Sequence, residues 1–493
     1  MFETAELGQK VSKEAFNERE TKLRTALLVA QQELKGADFP VIVLFGGVDG
    51  AGKSATAQVL NEWMDPRWIT TRAFGEPTQE ERERPRYWRF WRELPPRGSI
   101  GILLSAWYSQ PLLDHVNGGK LDALDSGLDE IEFFESQLAA DGALIVKFWM
   151  HLGKNAQKKR FKKLEKNVHE SWRVTEVDWE HWRRYNDFVA AAERILSRTS
   201  TGEAPWHIVE GADARYRSLR VGELLLAALR DRLARPAAPA SRPAPSVVAE
   251  LSSAAEGPSI LTGLDLSKKL EDTRYKQELR RWRARLNLAH RKAREKGIST
   301  LAVFEGWDAA GKGGAIRRIV SALDVSAARV YPFAAPTDEE RAHHYLWRFW
   351  RHVPRAGDVA LFDRSWYGRV LVERVEGFAR KDEWERAYAE INHFERQLAE
   401  HGIVLVKCWV HLSPEEQLRR FHEREQTPHK HWKLTDEDWR NRENWDAYEA
   451  AVHDMVEHTS TGLAPWTLVE GNDKYFTRIK VMKTLTERLE KVV

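Results

Sequence analysis

The sequence predicts an α/β fold that occurs twice, as two domains that each hold a parallel sheet with helices on both faces. Three observations support this prediction. The second half of the chain repeats the first, each half alternates short apolar runs with helical stretches, and a Gly-rich loop follows the first apolar run of each half. The 493 residues are enough for two domains with full cores.

The internal repeat is visible in several segments. Residues 40–55 (PVIVLFGGVDGAGKSA) match 299–314 (STLAVFEGWDAAGKGG), and residues 199–211 (TSTGEAPWHIVEG) match 459–471 (TSTGLAPWTLVEG). The offset is 259 residues early in the copies and 260 residues later, so one single-residue insertion or deletion separates them. Matches of this length in the same order indicate the duplication of one domain.

A stretch rich in Pro, Ala and Ser lies between the copies and shows no periodic apolar pattern. Such a composition is typical of an extended, mobile linker. We therefore predict an N-terminal domain over residues 1–234, a linker over 235–259 and a C-terminal domain over 260–493.

Within each copy the order of elements is the same. A charged amphipathic helix, at about 11–35 and 266–296, precedes an apolar strand at 41–45 and 300–304. Three more strands are predicted per copy, at 99–104, 143–149 and the WHIVE run in the first, and at 358–362, 403–409 and the WTLVE run in the second. Ligands of such sheets bind at the carboxyl ends of the strands, where the Gly-rich loops lie.

Composition argues against several other classes of protein. The single cysteine, Cys408, permits no intrachain disulfide, fits a reducing compartment and is interpreted as a core residue. The 77 basic and 74 acidic residues leave a net charge of +3, which argues against a general nucleic-acid binder. No apolar signal core opens the chain, and no apolar run approaches the roughly 20 residues of a membrane helix. A cytoplasmic protein with no membrane or nucleic-acid partner is expected.

The Gly-rich loop of the first copy is a complete phosphate-loop motif. Residues 47–54 (GVDGAGKS) follow G-x-x-x-x-G-K-[ST] between a predicted strand and a predicted helix. The glycines let backbone N–H groups converge on phosphate oxygens, and Lys53 neutralises their charge. Phosphate binding is favoured over a purely structural turn.

The loop of the second copy, with Gly306, Gly311 and Lys312, departs at its last position. Gly313 stands where the Ser or Thr hydroxyl of ordinary phosphate loops binds Mg²⁺. This copy therefore needs another metal ligand, and Asp308 is the candidate. A carboxylate inside a phosphate-binding loop would repel its ligand unless a cation lay between them. The alternative is an aspartate that only shapes the turn.

A second acid ends a neighbouring strand in the second copy. The run VALFD ends in Asp363, and Arg364 follows it. An apolar strand that ends in aspartate is the Walker-B arrangement, in which the carboxylate holds Mg²⁺ directly or through water. Because a phosphate loop accompanies it, we favour this metal role over that of a helix cap.

The first copy lacks these groups. Leu104 stands where Asp363 does, Ser105 replaces the following arginine, and Gln110 replaces Arg369. A leucine cannot bind Mg²⁺. We therefore expect the first copy to have a degenerate site and a structural or regulatory role.

Many cations of the second copy stand in motif positions. Arg348 and Arg351 are three residues apart on a predicted helix, so they share a face. The candidates for phosphate binding are Arg317, Arg318, Arg348, Arg351, Arg355, Arg364, Arg369, Lys430 and Lys433.

Residues 419–433 are basic, helical in pattern and broken at Pro428, which predicts a mobile lid that closes over phosphates and excludes water. His411 follows the third strand of the second copy, and His151 is its counterpart in the first. Because the histidine is present in the degenerate copy too, a structural role is favoured over a catalytic one.

These segments resemble the type-2 polyphosphate kinase family. The resemblance rests on GWDAAGKGG (306–314), WRFWRHVPRAG (347–357), FDRSWYGR (362–369) and HKHWKLTDEDW (429–439), and covers nearly the whole second copy. The double domain looks like the tandem class of that family. The family has a P-loop α/β/α sandwich with a helical lid, related to thymidylate kinase, so the resemblance implies this fold for each copy.

The resemblance implies transfer of the terminal phosphate of inorganic polyphosphate to AMP, giving ADP, with Mg²⁺ as the metal ion and Mn²⁺ as an alternative. It also implies roles in the site for the Walker-A pair, the Walker-B pair and the lid lysines, namely Asp308 and Lys312, Asp363 and Arg364, and Lys430 and Lys433. The Thr427–Pro428 pair departs from the family pattern, in which an acidic residue precedes the proline.

Three alternatives stay open from the sequence. The enzyme could be an ATP-dependent nucleoside monophosphate kinase, since loop spacing does not identify the donor. It could instead use polyphosphate and ADP to make ATP. A polyphosphate or nucleotide sensor without turnover is the third, although a pair of acids suited to metal binding argues for catalysis. A homodimer is one open alternative for the assembly.

Overall fold

The structure, a computed structural model, describes residues 1–235, 259–427 and 436–493. Each copy holds one sheet of five strands. The strands are β1 (Val41–Gly47), β2 (Ile69–Ala73), β3 (Ile100–Leu104), β4 (Leu144–His151) and β5 (Trp206–Glu210) in the first copy, and β6 (Thr300–Gly306), β7 (Ala328–Pro332), β8 (Val359–Asp363), β9 (Val404–His411) and β10 (Trp466–Glu470) in the second.

All strand pairs in both sheets are parallel. The first sheet has the order β2-β3-β1-β4-β5, and the second has the order β10-β9-β6-β8-β7, which is the same arrangement read from the other edge. The chain divides into two compact units, one containing the first sheet and one containing the second. This confirms the predicted fold class, while the predicted domain boundaries stay predictions.

Helices separate the strands in both copies. In the first copy they are α1 (Lys13–Leu34), α2 (Lys53–Trp63), α3 (Gln79–Arg82), α4 (Trp88–Trp91), α5 (Ser109–Val116), α6 (Leu121–Ala140), α7 (Lys154–Glu165), α8 (Glu176–Arg183), α9 (Tyr185–Thr199) and α10 (Ala214–Ala234). In the second copy they are α11 (Asp272–Glu295), α12 (Lys312–Val320), α13 (Asp338–Arg341), α14 (Trp347–Trp350), α15 (Val372–Val375), α16 (Lys381–Glu400), α17 (Pro414–Glu425), α18 (Asp436–Glu443), α19 (Trp445–Thr459) and α20 (Lys474–Glu490). Among the described residues, no helix is long and apolar enough to cross a membrane.

The two strands β2 and β7 were missed by the sequence prediction, which gave four strands per copy. Both lie at the edge of their sheets, and most of their residues are exposed or half-exposed. An edge strand that buries little apolar surface needs no apolar run, so the sequences ITTRA and ARVYP carry no clear strand pattern. The central strands β1 and β6, which have neighbours on both sides, are almost entirely buried and read as continuous apolar runs.

A buried lysine anchors the core of each unit. In the second, Lys407 on β9 is fully buried, and its Nζ donates hydrogen bonds to Glu395 Oε2 at 2.7 Å, to the Tyr367 hydroxyl at 2.8 Å and to the Thr459 carbonyl at 2.7 Å. In the first, Lys147 makes the same three contacts at 2.6–2.9 Å. Because both copies retain the arrangement, it belongs to the fold and not to the chemistry of one copy.

We expect Lys407→Met to destabilise the second unit by about 3–5 kcal/mol, because it leaves the Glu395 carboxylate buried without its cation. Urea unfolding of the full chain measures the loss. The double variant Lys407→Met with Glu395→Leu should recover a large part of it, since replacing both members of a buried pair removes the uncompensated charge. A single variant within about 0.5 kcal/mol of the unchanged protein would contradict the expectation.

Candidate active site

The candidate site lies at the carboxyl ends of β6 and β8 in the second copy. The phosphate loop leaves β6 at Gly306 and enters α12 at Lys312. On the neighbouring strand Asp363 pairs in register with Phe304, two residues before the loop begins. Parallel pairing therefore brings the predicted loop and the predicted strand-end acid to one edge of the sheet.

Backbone conformation requires glycine at two positions of the loop. Gly306 has φ +146°, and a Cβ atom there would lie 2.3 Å from the carbonyl oxygen of Val410. Gly311, which precedes α12, has φ +110°. Gly313 differs, because a Cβ atom there would meet no atom within 4 Å. A serine would fit at Gly313, so steric crowding does not explain the missing hydroxyl.

Lys312 is folded over the loop that precedes it. Its Nζ donates to the carbonyl oxygens of Gly306 at 2.6 Å and Trp307 at 3.2 Å. The matching lysine of the first copy, Lys53, makes the equivalent contacts at 2.7 and 3.2 Å. The two ammonium groups therefore occupy the same position relative to their loops.

Asp308 and Arg364 form the charged centre of the site. The Arg364 guanidinium donates to Asp308 Oδ1 at 3.0 Å, and the Asn441 amide donates to Oδ2 of the same carboxylate at 2.8 Å. Burial alone would lower the pKa of Arg364, but the surrounding acids, with Asp308 the largest contributor, raise it. Arg364 is therefore a permanent cation beside the loop.

The backbone at Arg364 is in the left-handed region, with φ +67°, which is unusual for a residue other than glycine. Its counterpart Ser105 has φ +52°. The same bend after the strand is thus present in both copies, and only the second uses it to carry a cation. Strained backbone of this kind concentrates at functional sites.

Asp363 is half-exposed, and within the described parts of the chain no hydrogen bond or ion pair engages its carboxylate. Carboxylates are the hard oxygen ligands that Mg²⁺ prefers, and Mg²⁺ is usually held by one or two of them together with phosphate oxygens and water. No group of three or more His, Cys, Asp or Glu side chains suited to a metal ion occurs in the residues that the structure describes. Asp308 and Asp363 therefore fit an ion that is shared with a phosphate ligand.

A residue that the sequence analysis missed is Glu305, the last residue of β6 before Gly306. Its carboxyl is fully buried and accepts a hydrogen bond from the Ser365 hydroxyl at 2.7 Å. Burial raises the pKa of Glu305, against the lowering effects of Ser365, Lys312 and Arg364. The sequence does contain a sign of this residue. Glu305 is an acid within the apolar run VFEG of the second copy, and the first copy has a glycine at the matching position.

The predicted cations Arg348, Arg351 and Arg369 are held by nearby acids. Their ion pairs are with Glu340 at 3.3 Å, Glu339 at 3.3 Å and Glu373 at 3.1 Å, respectively. Within the described residues none of the three forms a hydrogen bond to the phosphate loop. Their predicted contact with phosphate stays a prediction.

Lys430 and Lys433, with Pro428, lie outside the described residues. The helix before them, α17, contacts the loop through Arg420, which the sequence analysis did not single out. Its guanidinium donates to the carbonyl oxygens of Ala309 at 2.9 Å and Ala310 at 3.1 Å. At Arg420 the first part of the predicted lid segment is therefore hydrogen-bonded to the phosphate loop.

His411 is buried and accepts a hydrogen bond at Nδ1 from the indole N–H of Trp307 at 3.1 Å. Burial lowers the pKa of His411 to about 4, so the imidazole is neutral at physiological pH. Burial also lowers the pKa of its counterpart His151. A neutral acceptor that positions a loop tryptophan supports the structural role.

We expect His411 to make the protein acid-sensitive. Its pKa is 6.5 when unfolded and about 4 when folded, so between these values the unfolded state binds more protons and stability falls as the pH falls. From about pH 7 to about pH 5 the loss from this group is about 2 kcal/mol. His411→Gln, which does not titrate, should reduce the decline measured by urea unfolding by that amount. Equal declines in the two proteins would contradict this.

A model of the family described as polyphosphate kinase 2 matches residues 10–236 and 269–492, so it matches both copies. The chain belongs to the polyphosphate kinase 2 family. It is therefore a phosphotransferase of the kinase type, as the resemblance in the sequence predicted.

Two curated relatives in this family match over their full length. A polyphosphate:AMP phosphotransferase of Pseudomonas aeruginosa is 51% identical over 492 residues, which cover 99% of each protein. One of Pseudomonas syringae pathovar tomato is 48% identical over 501 aligned positions, covering 100% of this chain and 98% of the relative. A crystal structure described as a polyphosphate kinase 2 from P. aeruginosa has a TM-score of 0.88 and 48% identity, covering 100% of this chain and 99% of that one. Kinases of this family in general depend on a divalent metal ion.

Proposed function

We propose that the protein transfers the terminal phosphate of inorganic polyphosphate to AMP and so forms ADP. The observation that carries this proposal is that both copies together match, over almost their whole length, two proteins named for that activity. The site is consistent with it, because the phosphate loop, two cations and two acids meet at one edge of the second sheet.

In the proposed reaction an oxygen of the AMP phosphate forms a bond to the terminal phosphorus of polyphosphate. The bond from that phosphorus to the bridging oxygen breaks, and the shortened chain keeps this oxygen. A phosphate monoester has its second pKa near about 6 and is ionised at neutral pH, so no residue has to act as a general base. Lys312 and Arg364 reduce the repulsion between the two anions, which is the main barrier in phosphoryl transfer.

Mg²⁺ is the proposed metal ion, with Mn²⁺ as an alternative, and Asp308 and Asp363 would hold it. When bound it would neutralise charge on the phosphate oxygens. Arg364 and Asn441 already orient the Asp308 carboxylate, and the hydrogen bond between Ser365 and Glu305 joins the segment after β8 to the last part of β6 before the loop. Gly306, Gly311 and Gly313 leave the loop backbone open to phosphate.

We assign this chemistry to the second copy. The first copy retains the loop and its lysine but has no acid at the strand end and fewer cations. Five residues of the second-copy site are replaced in the first copy: Glu305 by Gly46, Asp363 by Leu104, Arg364 by Ser105, Ser365 by Ala106 and Arg369 by Gln110.

The test offers the full chain AMP with Mg²⁺ and either polyphosphate or ATP, and follows the formation of ADP from labelled AMP. We expect ADP only with polyphosphate as the donor. ADP formation that requires ATP would overturn the donor. In a parallel assay with ADP and polyphosphate, ATP formation by a protein that leaves AMP unreacted would overturn the acceptor. A cytoplasmic location and a homodimer stay predictions.

A further inference from the structure

The first copy contains a cavity of about 250 Å³ that the proposed reaction does not use. It lies at the carboxyl ends of β1, β2 and β3, where ligands of parallel sheets bind. The phosphate loop with Lys53 lines one side, and aromatic and aliphatic side chains line the other. The question is what such a cavity holds in a copy that lacks the strand-end acid.

The polar side of the cavity is fully formed. Lys53 keeps the position of Lys312 in its own loop, and the loop glycines Gly47 and Gly52 keep left-handed backbone, with φ +134° and +97°. Asp49, which corresponds to Asp308, accepts a hydrogen bond from His181 at 2.7 Å and lies 3.6 Å from Lys53. The side chains that shape a phosphate cradle are thus paired and in place.

The opposite wall is apolar and largely aromatic. The Phe74 and Phe90 rings pack edge to face at 4.9 Å, and Leu112, Leu113 and Phe188 complete this wall. Ligand cavities that combine an apolar wall with a few polar groups bind organic molecules with one charged end. A nucleotide fits this description, because its phosphate is the charged end and its flat base stacks well on aromatic side chains.

Charge limits the ligand to one phosphate group. The second copy adds Arg364 and Arg369 to its loop lysine, whereas the first has Ser105 and Gln110 at these places. Within the cavity lining the remaining cations are Lys53 and Arg89, and the acids Asp49 and Glu76 oppose them. A long polyanion finds too little positive charge here, and Leu104 replaces the strand-end acid on which the proposed transfer depends.

The volume of about 250 Å³ is near the lower end of the roughly 300–1,000 Å³ range of ligand cavities, so it limits the ligand to a single small nucleotide. We propose that the first copy binds a nucleoside monophosphate without turnover. Its phosphate lies on the Lys53 loop and its base lies against the aromatic rings of the apolar wall. This inference does not rest on the proposed function, because it concerns binding in the other copy.

Equilibrium dialysis of the full chain against labelled AMP tests the inference, with polyphosphate absent so that no turnover occurs. AMP concentrations up to about 5 mM exceed the ~1 mM upper end of usual KM values. We expect Lys312→Ala to retain one bound AMP per chain and the double variant Lys53→Ala with Lys312→Ala to bind none. Adenosine and inorganic phosphate serve as competitors, and both should compete more weakly than unlabelled AMP.

Two substitutions of opposite charge at Gln110 provide matched variants. Gln110 is exposed, so they alter the charge beside the cavity without disturbing the core. In the Lys312→Ala chain, Gln110→Arg should tighten AMP binding about 3–10-fold by adding a cation, and Gln110→Glu should weaken it by a similar factor. The inference is overturned if Lys312→Ala binds no AMP, if Gln110 variants leave its affinity unchanged, or if inorganic phosphate competes as well as AMP. Failure of the AMP-to-ADP assay leaves these binding results untouched, so the two proposals fail separately.

Discussion

Asp363→Ala is expected to lower turnover of AMP with polyphosphate by at least about 10³-fold, because it removes a carboxylate predicted to hold the metal ion. Asp363 ends β8 beside the phosphate loop, and no described residue forms a hydrogen bond or ion pair with its carboxylate. Removing this carboxylate should therefore leave the fold intact but take away the negative charge that would hold a metal ion. Initial rates at saturating AMP and varied Mg²⁺ measure the effect.

Asp358→Ala is the matched control. Asp358 precedes the same strand at its opposite end, where its backbone carbonyl accepts a hydrogen bond from Thr300, and its side chain is also half-exposed. We expect this variant to keep turnover within about 3-fold of the unchanged protein, as for ordinary surface substitutions. If Asp363→Ala kept more than about a tenth of the activity, the assignment of the metal ligand would be wrong.

Much of this fold was predictable because its signals are local and repeated. The central strands are continuous apolar runs, and the loop glycines occur at fixed spacing. The duplication strengthened the fold prediction, because each motif could be compared with the matching segment of the other copy. The replacement of Asp363 by Leu104 in the other copy is enough, at the level of sequence, to single out the second copy.

What the sequence analysis missed depends on contacts between distant segments. Arg420 on α17 donates to the loop carbonyl oxygens of Ala309 and Ala310, more than 100 residues earlier, and nothing in its own helix indicates this. Glu305 was overlooked because it directly precedes the phosphate loop and belongs to no motif by itself. Its meaning appears when Ser365, on the loop after β8, is seen to donate a hydrogen bond to it.

The site itself was only partly predictable for a physical reason. Spacing places Arg348, Arg351 and Arg369 near the motifs, but it does not tell whether a guanidinium faces a ligand or an acid of the protein. In the structure each pairs with a glutamate. A bound polyanion would have to compete with these ion pairs, so their roles depend on a balance of charges that no motif encodes.

Lys312→Ala and Lys53→Ala provide the sharpest comparison between the copies. The two lysines occupy the same loop position and make the same two contacts with loop carbonyl oxygens, so the substitutions should disturb their loops equally. We expect Lys312→Ala to lower turnover by about 10²–10³-fold, the usual loss when one stabilising group is removed from a developing charge. Lys53→Ala should keep turnover within about 3-fold, since it alters no group in the proposed reaction.

The reason for this asymmetry lies in what surrounds each lysine. Lys312 lies with Asp308, Asp363 and Arg364, whereas Lys53 has only the paired Asp49 beside it and a leucine at the strand end. A lysine can cradle a phosphate in either setting, but transfer also requires the metal acids and the second cation. If Lys53→Ala alone abolished turnover, the chemistry would have to be assigned to the first copy or shared between them. If Lys53→Ala instead lost AMP binding to the first copy and kept turnover, the first copy would be a binding domain and the second a catalytic one.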